Sequence, residues 1–267
     1  MRLRAAAAAL LLPAAVLAQP ASEAPGGPLA DVSIEQRLGA RLPLAASLRD
    51  EAGKVVALGD YFGARPVVLA LVYYRCPMLC GYVERGTSKA LKTLAFLPGE
   101  DFELVIVSID PSDTPALARG QKAEFLRSYG RPSTARGIHY LTGEAGAIAA
   151  IARAAGFRFT KDRETGEFSH AAGLFVATPD GRLSRYFFGV EYSARDLRLA
   201  LTEASKGRLG SLADRLLLYC SHYDPKTGRY SVAILRLLRV LGVATVVGVA
   251  VLIAVVSRRP RRAEILP

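Results

Sequence analysis

The chain has little of the chemistry on which most sites are built. Of its 267 residues, three are cysteine, three are histidine and two are methionine, and there is no tryptophan. No phosphate loop, no acid–base pair and no Ser-His-Asp arrangement can be traced along it, which sets aside the commonest nucleotide-binding and hydrolytic chemistries. No internal repeat recurs, which argues against a solenoid or a propeller. Three cysteines cannot all pair within one chain. An odd count leaves a free thiol, an intermolecular link, or cysteines used as ligands.

What is present in excess is positive charge, a net +11, but most of it sits at the ends. Residues 1–18, MRLRAAAAALLLPAAVLA, have the build of a secretory signal peptide: basic Arg2 and Arg4, an Ala/Leu run, and small residues at a cleavage site. Residues 19–44 begin rich in Pro, Gly and Ala and read as a linker. Residues 237–256, LLRVLGVATVVGVAVLIAVV, carry one charge, Arg239, near the entry end. Twenty residues of helix span about 30 Å, the thickness of a hydrocarbon core. Arg258, Arg259, Arg261 and Arg262 follow and should stay in the cytoplasm. The expected topology is therefore single-pass in the inner membrane. The folded part, 45–205, lies on the exported, periplasmic side. A juxtamembrane segment spans 206–236, and a basic tail, 257–267, lies inside. Arg2 and Arg4 account for two of the eleven charges, and six arginines against Glu264 from residue 236 onward account for five more. The +4 left between them gives no reason to expect nucleic acid as a partner.

Between the ends the pattern alternates. Residues 46–58 read as a hairpin around Asp50-Glu51-Ala52-Gly53. Residues 66–74, PVVLALVYY, form a continuous apolar run, as does 102–109, FELVIVSI; both suit strands buried on two faces. A helix is expected over 81–96, with Val83, Thr87, Ala90, Leu91 and Leu94 on one stripe. Thr114-Pro115 opens another that stops before Gly130. A short strand at 138–141, a helix over 143–156, strands at 173–178 and 183–188 around Pro179-Asp180-Gly181, and a closing helix over 194–204 follow. This is an α/β layered domain. A Cys motif between a buried strand and its helix, with a later hairpin, points to a thioredoxin-like layout.

That motif is Cys76-Pro77-Met78-Leu79-Cys80. On a regular helix, residues four apart have Cβ atoms about 5–6 Å apart, whereas a disulfide wants about 3.8 Å. A metal with bonds near about 2.3 Å to sulfur bridges such a gap. Pro77 disfavours a regular helix from Cys76, so a loop admits either state. A structural disulfide, a dithiol exchange pair and a metal site all remain open on these residues alone. The helix N-terminus should lower the thiol pKa values, which suits both metal binding and exchange. His170 is taken to open a later strand after the charged loop KDRETGEFS, a mobile arm able to bring the imidazole to the sulfurs. Cys76, Cys80 and His170 would form a soft three-ligand set suited to Cu(I), or to Cu(II) with an added oxygen ligand. A closed zinc site would need a fourth ligand.

Together, YYRCPMLC, SIDPSDTP, HYLTG and FSHAAGLFVATPDGRLSRYFFG resemble the Sco/SenC family of copper chaperones for cytochrome c oxidase assembly, over about residues 40–205. The resemblance implies a thioredoxin-like fold, copper on Cys76, Cys80 and His170, and a redox-active disulfide between Cys76 and Cys80. It implies a copper-binding assembly factor that delivers copper to, or reduces the cysteines of, the dinuclear copper centre of oxidase subunit II. Such a factor needs a copper acceptor and a thioredoxin-like reductant as partners and has no turnover of its own. The alternative is a membrane-anchored thiol–disulfide oxidoreductase using Cys76 and Cys80. The chain departs from the commoner family pattern. Met78 stands where an acidic residue is usual, Gly81 replaces a second Pro, and Ser169 replaces an Asp before the histidine. The expected anchor is C-terminal, where most members have it at the N-terminus.

Asp110, Asp113 and Thr114 of SIDPSDTP cap and shape a turn beside the site. Asp110 is the candidate for a supporting role behind the metal ligands. Cys220 and His222 form a candidate secondary site, against the reading of CSHYDP as a membrane-entry turn. His139 reads as structural.

Overall fold

In a computed structural model the described residues are 31–75, 79–162, 165–209, 223–224, 229–230, 242–243 and 245–249, with backbone alone at 79–80, 223–224 and 229–230. In chain order the first elements are β1 (Ser33–Ile34), β2 (Ser47–Arg49), β3 (Val55–Ala57), β4 (Val67–Val72), α1 (Leu79–Thr93), β5 (Glu103–Ser108) and α2 (Pro115–Tyr129). They are followed by β6 (Ile138–Gly143), α3 (Ala145–Ala154), β7 (Phe157–Lys161), β8 (Phe168–His170), β9 (Gly173–Ala177), β10 (Leu183–Phe188) and α4 (Ala194–Ser205).

The apolar runs become the centre of a seven-stranded sheet ordered β10-β9-β4-β5-β6-β2-β3. Strands β4, β5 and β6 are parallel, with Val68 opposite Leu104 and Leu104 opposite Ile138. Every residue of β4 is buried, as expected of a parallel strand covered on both faces. Strand β9 joins β4 antiparallel, and the β9–β10 hairpin closes that edge. The β2–β3 hairpin joins β6 at the other. This is the expected mixed α/β, thioredoxin-like arrangement.

Helix ends follow local chemistry. The Thr114 hydroxyl accepts from the Leu117 N–H at 3.3 Å, Pro115 occupies the first turn, and Gly130 closes α2 in the left-handed region at φ 74°. Helix α1 packs against α2 and α4, and its fit against the loop after β10 is tight. A Cβ built on Gly86 would lie 1.8 Å from the Val190 carbonyl oxygen. Only glycine allows that approach.

Two features differ from the sequence reading. Residues 157–170 contain an antiparallel hairpin, with Phe159 opposite His170 and Lys161 opposite Phe168. Strand β1 pairs on its far side, Ile34 against Phe157. Phe168 and Ser169, just before His170, thus belong to β8, the outer strand of a three-stranded sheet ordered β1-β7-β8, at the end of the loop where a mobile arm was expected. His170 ends β8 and does not open the strand that follows it. The packed structure also begins before residue 45. Besides β1, Leu42 is buried, and the Arg37 N–H donates to the Tyr186 hydroxyl at 2.9 Å.

Residues 1–18 and 257–267, with Cys220 and His222, lie outside the described residues. Of the apolar stretch 237–256 only seven residues are described; they are helical. Among the described residues no helix is long and apolar enough to cross a membrane. Within 206–236, Tyr223–Asp224 pairs antiparallel with Arg229–Tyr230.

Candidate metal centre

Strand β4 ends at Val72, and Tyr73, Tyr74 and Arg75 carry the chain out of the sheet toward the cysteine motif. Cys76, Pro77 and Met78 lie outside the described residues, and the chain resumes as the backbone of α1 at Leu79. Cys80 is therefore the second residue of a helix that starts at the carboxyl end of a central parallel strand. The first turn of a helix carries unpaired N–H groups, the setting in which a thiolate is favoured.

The approach to Cys76 is pinned by one carboxylate. Asp113, its side chain with no exposed surface, accepts from the Tyr74 N–H at 2.9 Å, the Arg75 Nε–H at 2.9 Å and the Ser108 hydroxyl at 2.6 Å. A buried carboxylate is stable only when so paired. The Gln121 amide donates to the Tyr74 carbonyl at 2.9 Å. The buried Tyr74 hydroxyl lies 2.8 Å from the Leu141 carbonyl and 3.0 Å from that of Ile106. Together these fix the last residues before the motif to β5, β6 and α2.

Asp110 has a more local part. Its Oδ1 accepts from the N–H of Ser112 at 2.9 Å and from the Ser112 hydroxyl at 2.7 Å, an Asx turn that shapes the β5–α2 connection. Its other oxygen is 4.0 Å from the Arg75 guanidinium. The residue of SIDPSDTP that reaches across to the cysteine approach is mainly Asp113.

His170 is 6 % exposed. Its Nδ1 donates to the Ala171 carbonyl at 2.9 Å, which in the neutral ring places the lone pair on Nε2. Its ring stands edge-on to Tyr73, centroids 5.9 Å apart, and 5.9 Å from Phe157. Burial lowers its pKa, opposed by the bond to Ala171, which favours the neutral imidazole, the form that binds a metal. The fold thus brings a ligand-competent histidine beside the strand end that leads into Cys76. Among the described residues no three His, Cys or carboxylate side chains gather into a metal site; the expected set depends on two sulfurs that lie outside them.

His139 is where a structural role would put it. Its Nε2 is 3.0 Å from Glu103, which also binds Arg65 at 2.6 Å, and its ring lies 4.3 Å from that of Tyr61. Glu103 starts β5, at the opposite end of the parallel strands from the cysteine motif.

One group escaped the sequence reading. Glu84, a single helical turn after Cys80, accepts from the Tyr140 hydroxyl at 2.9 Å. Burial raises its pKa to about 7, the largest cause. Its spacing of four from Cys80 is the only local sign of it.

The SCO1/SenC family model matches residues 40–204, and the chain belongs to that family. Solved structures agree in fold. A candidate electron transfer protein of Aquifex aeolicus is 25% identical, with a TM-score of 0.55 over 64% of this chain and 96% of that one. A SCO1/SenC family lipoprotein of Bacillus anthracis is 18% identical, with a TM-score of 0.52 over 65% and 99%. Copper-bound ScoI of Arabidopsis thaliana is 19% identical, with a TM-score of 0.50 over 64% and 99%. No curated protein matches the chain.

Proposed function

We propose that this SCO1/SenC member binds copper through Cys76, Cys80 and His170 and passes it to the dinuclear copper centre of cytochrome c oxidase subunit II. The observation that carries the reading is His170: a buried imidazole standing edge-on to Tyr73, three residues before Cys76. The donor set suits the cargo. Two thiolates and one neutral imidazole are soft ligands that favour Cu(I), and an added oxygen ligand would accommodate Cu(II). Three ligands from two separate segments can be exchanged one at a time, which suits hand-over. The copper-bound Arabidopsis relative supports the reading by analogy of fold.

A second reading has its own observation. Cys80 lies in the first turn of α1, where a thiolate is favoured. On this reading the pair reduces the cysteines of the copper centre before loading, is itself oxidised to a disulfide, and is regenerated by a thioredoxin-like reductant. Both readings put the domain in the periplasm, anchored by 237–256 after export directed by 1–18. The clusters of Arg at 258–262 support that orientation.

The test is an anaerobic Cu(I) competition titration on the reduced full-length chain, with Cys76→Ser, Cys80→Ser and His170→Ala. Tight one-to-one binding, weakened by orders of magnitude in each variant, supports the three-ligand site. Binding indifferent to His170 moves the function to dithiol chemistry, and wild-type affinity in either serine variant rejects the site.

A further inference from the structure

Arg41 and Arg182 form an antiparallel bridge at the edge of the sheet, just before β10. The Leu42 N–H donates to the Gly181 carbonyl at 2.9 Å, and the Leu183 N–H to the Ala40 carbonyl at 2.9 Å. These two bonds bracket the arginines and make them a non-hydrogen-bonded pair, the kind with Cα atoms about 4.5 Å apart and side chains at their closest. Like charges directly opposite each other are destabilising. A third arginine joins them: the Ser184 hydroxyl donates to the Arg208 carbonyl at 2.7 Å, and Lys206 lies two residues earlier, at the end of α4. Arg41, Lys206 and Arg208 are exposed. The guanidinium groups of Arg41 and Arg208 make no ion pair or hydrogen bond among the described residues. Of the acids nearest in the chain, Asp180 is taken by Arg182 at 2.7 Å, which leaves Glu203 against the rest. The cluster is also where the domain ends. A Cβ built on Gly39 would lie 3.4 Å from Leu209, the last residue before 210–236 and the apolar stretch 237–256. Register fixes its place in the sheet. Leu183 is level with Ala177, and Ala177 with Val67, the first residue of β4. The length of β4, about 20 Å at about 3.3 Å per residue, separates the cluster from the end that leads into the cysteine motif.

We propose that Arg41, Arg182, Lys206 and Arg208 form a docking surface for anionic phospholipid headgroups, which holds the domain with its cysteine-motif end turned away from the membrane. The proposal rests on the reading of 237–256 as the anchor. Guanidinium groups recognise phosphate oxygens through paired N–H donors. Headgroup phosphates would thus supply the negative charge that the Arg41–Arg182 pair lacks within the domain. The occupant follows from the connection: the chain leaves the domain at this cluster and enters the bilayer after 210–236. A tether of that kind keeps the headgroups at high effective concentration, so a weak electrostatic attraction is enough to orient the domain. The attraction acts over about 8 Å at physiological ionic strength and is removed by salt. The consequence for the protein is directional. With this end on the membrane, the opposite end of the parallel strands is presented to partners that project from the surface.

The experiment places the full-length chain in nanodiscs of phosphatidylcholine, with or without phosphatidylglycerol. Modification of each arginine by phenylglyoxal, a neutral reagent, is then followed by mass spectrometry. Arg41 and Arg208 should react about three- to tenfold more slowly when phosphatidylglycerol is present, and high salt should abolish the difference. Arg75, whose side chain is 54% exposed at the other end of the sheet, should react equally in both lipids and serves as the internal control. Arg41→Gln should weaken the protection of Arg208. Equal rates for Arg41 and Arg208 in the two lipids, in a chain that has inserted, overturn the docking surface and leave the anchor and copper readings standing. Equal protection by free inorganic phosphate in phosphatidylcholine nanodiscs overturns it in favour of a small-anion site. A slowing that extends to Arg75 overturns the orientation. A chain that does not enter the nanodiscs overturns the anchor and the docking surface together.

Discussion

The imidazole of His170 meets the ring of Tyr73 edge-on at 5.9 Å, although the two residues lie almost a hundred positions apart. Tyr73 extends the buried strand that delivers Cys76, and His170 ends the β7–β8 hairpin. This aromatic contact is the joint between the two halves of the proposed copper site. Edge-to-face pairs contribute about 0.5–1.5 kcal/mol beyond burial. Tyr73→Leu keeps an apolar side chain and loses the ring. We expect Cu(I) affinity to fall about three- to tenfold in the competition titration with only a small shift in Tm. An unchanged affinity would show that His170 is oriented without Tyr73.

Asp113 and Asp110 should separate cleanly in urea unfolding. Asp113→Ala leaves the buried Tyr74 N–H and Ser108 hydroxyl without their acceptor and frees Arg75. Leaving a buried donor unpaired costs about 1–3 kcal/mol, so the expected loss for the two together is about 3 kcal/mol. Asp110→Ala removes bonds within one turn, for a cost of about 1 kcal/mol. Equal losses would contradict the assignment of Asp113 as the pin.

Stability should fall with rising pH through the titration of Glu84. Its folded pKa, about 7, lies above the ordinary value of 4.5, so the folded state holds the proton more tightly than the unfolded chain. The resulting stabilisation is complete below about pH 4.5 and is lost as pH rises toward 7. Partial exposure limits the loss to about 2 kcal/mol. Glu84→Gln keeps an acceptor for Tyr140 and should flatten the profile between pH 4.5 and 7. A variant with the wild-type slope would assign the dependence elsewhere.

Two helical glycines should respond oppositely to alanine. Gly120 in α2 has open space where a Cβ would go, so Gly120→Ala should stabilise by about 1 kcal/mol. Gly86→Ala drives a methyl group into the Val190 carbonyl and must push α1 from the loop after β10. The cost should be about 1–3 kcal/mol, read as a lower Tm. A neutral Gly86→Ala would show that this loop yields easily.

Much of the fold was legible locally. The apolar run at 66–74 became β4, Thr114-Pro115 and Gly130 bounded α2 at Pro115–Tyr129, and the hairpins at 46–58 and 173–188 formed around their turns. These signals rest on short-range causes: burial on both faces of a strand, a capping hydroxyl, a left-handed glycine. The β7–β8 hairpin was missed because Phe157–Lys161 is short and only partly buried, with a charged turn that reads as loop.

The strand–motif–helix order, the residue types able to bind a soft metal, and the family could all be read along the chain. Which groups act together depends on the packed fold. Register places Phe159 opposite His170; close packing brings Tyr140 to Glu84 across 56 positions and Asp113 to Tyr74 across 39. The physical reason is range. Propensity and capping act within a few residues, whereas the field at a carboxylate or an imidazole depends on what burial removes and on which distant donors the packed sheet supplies.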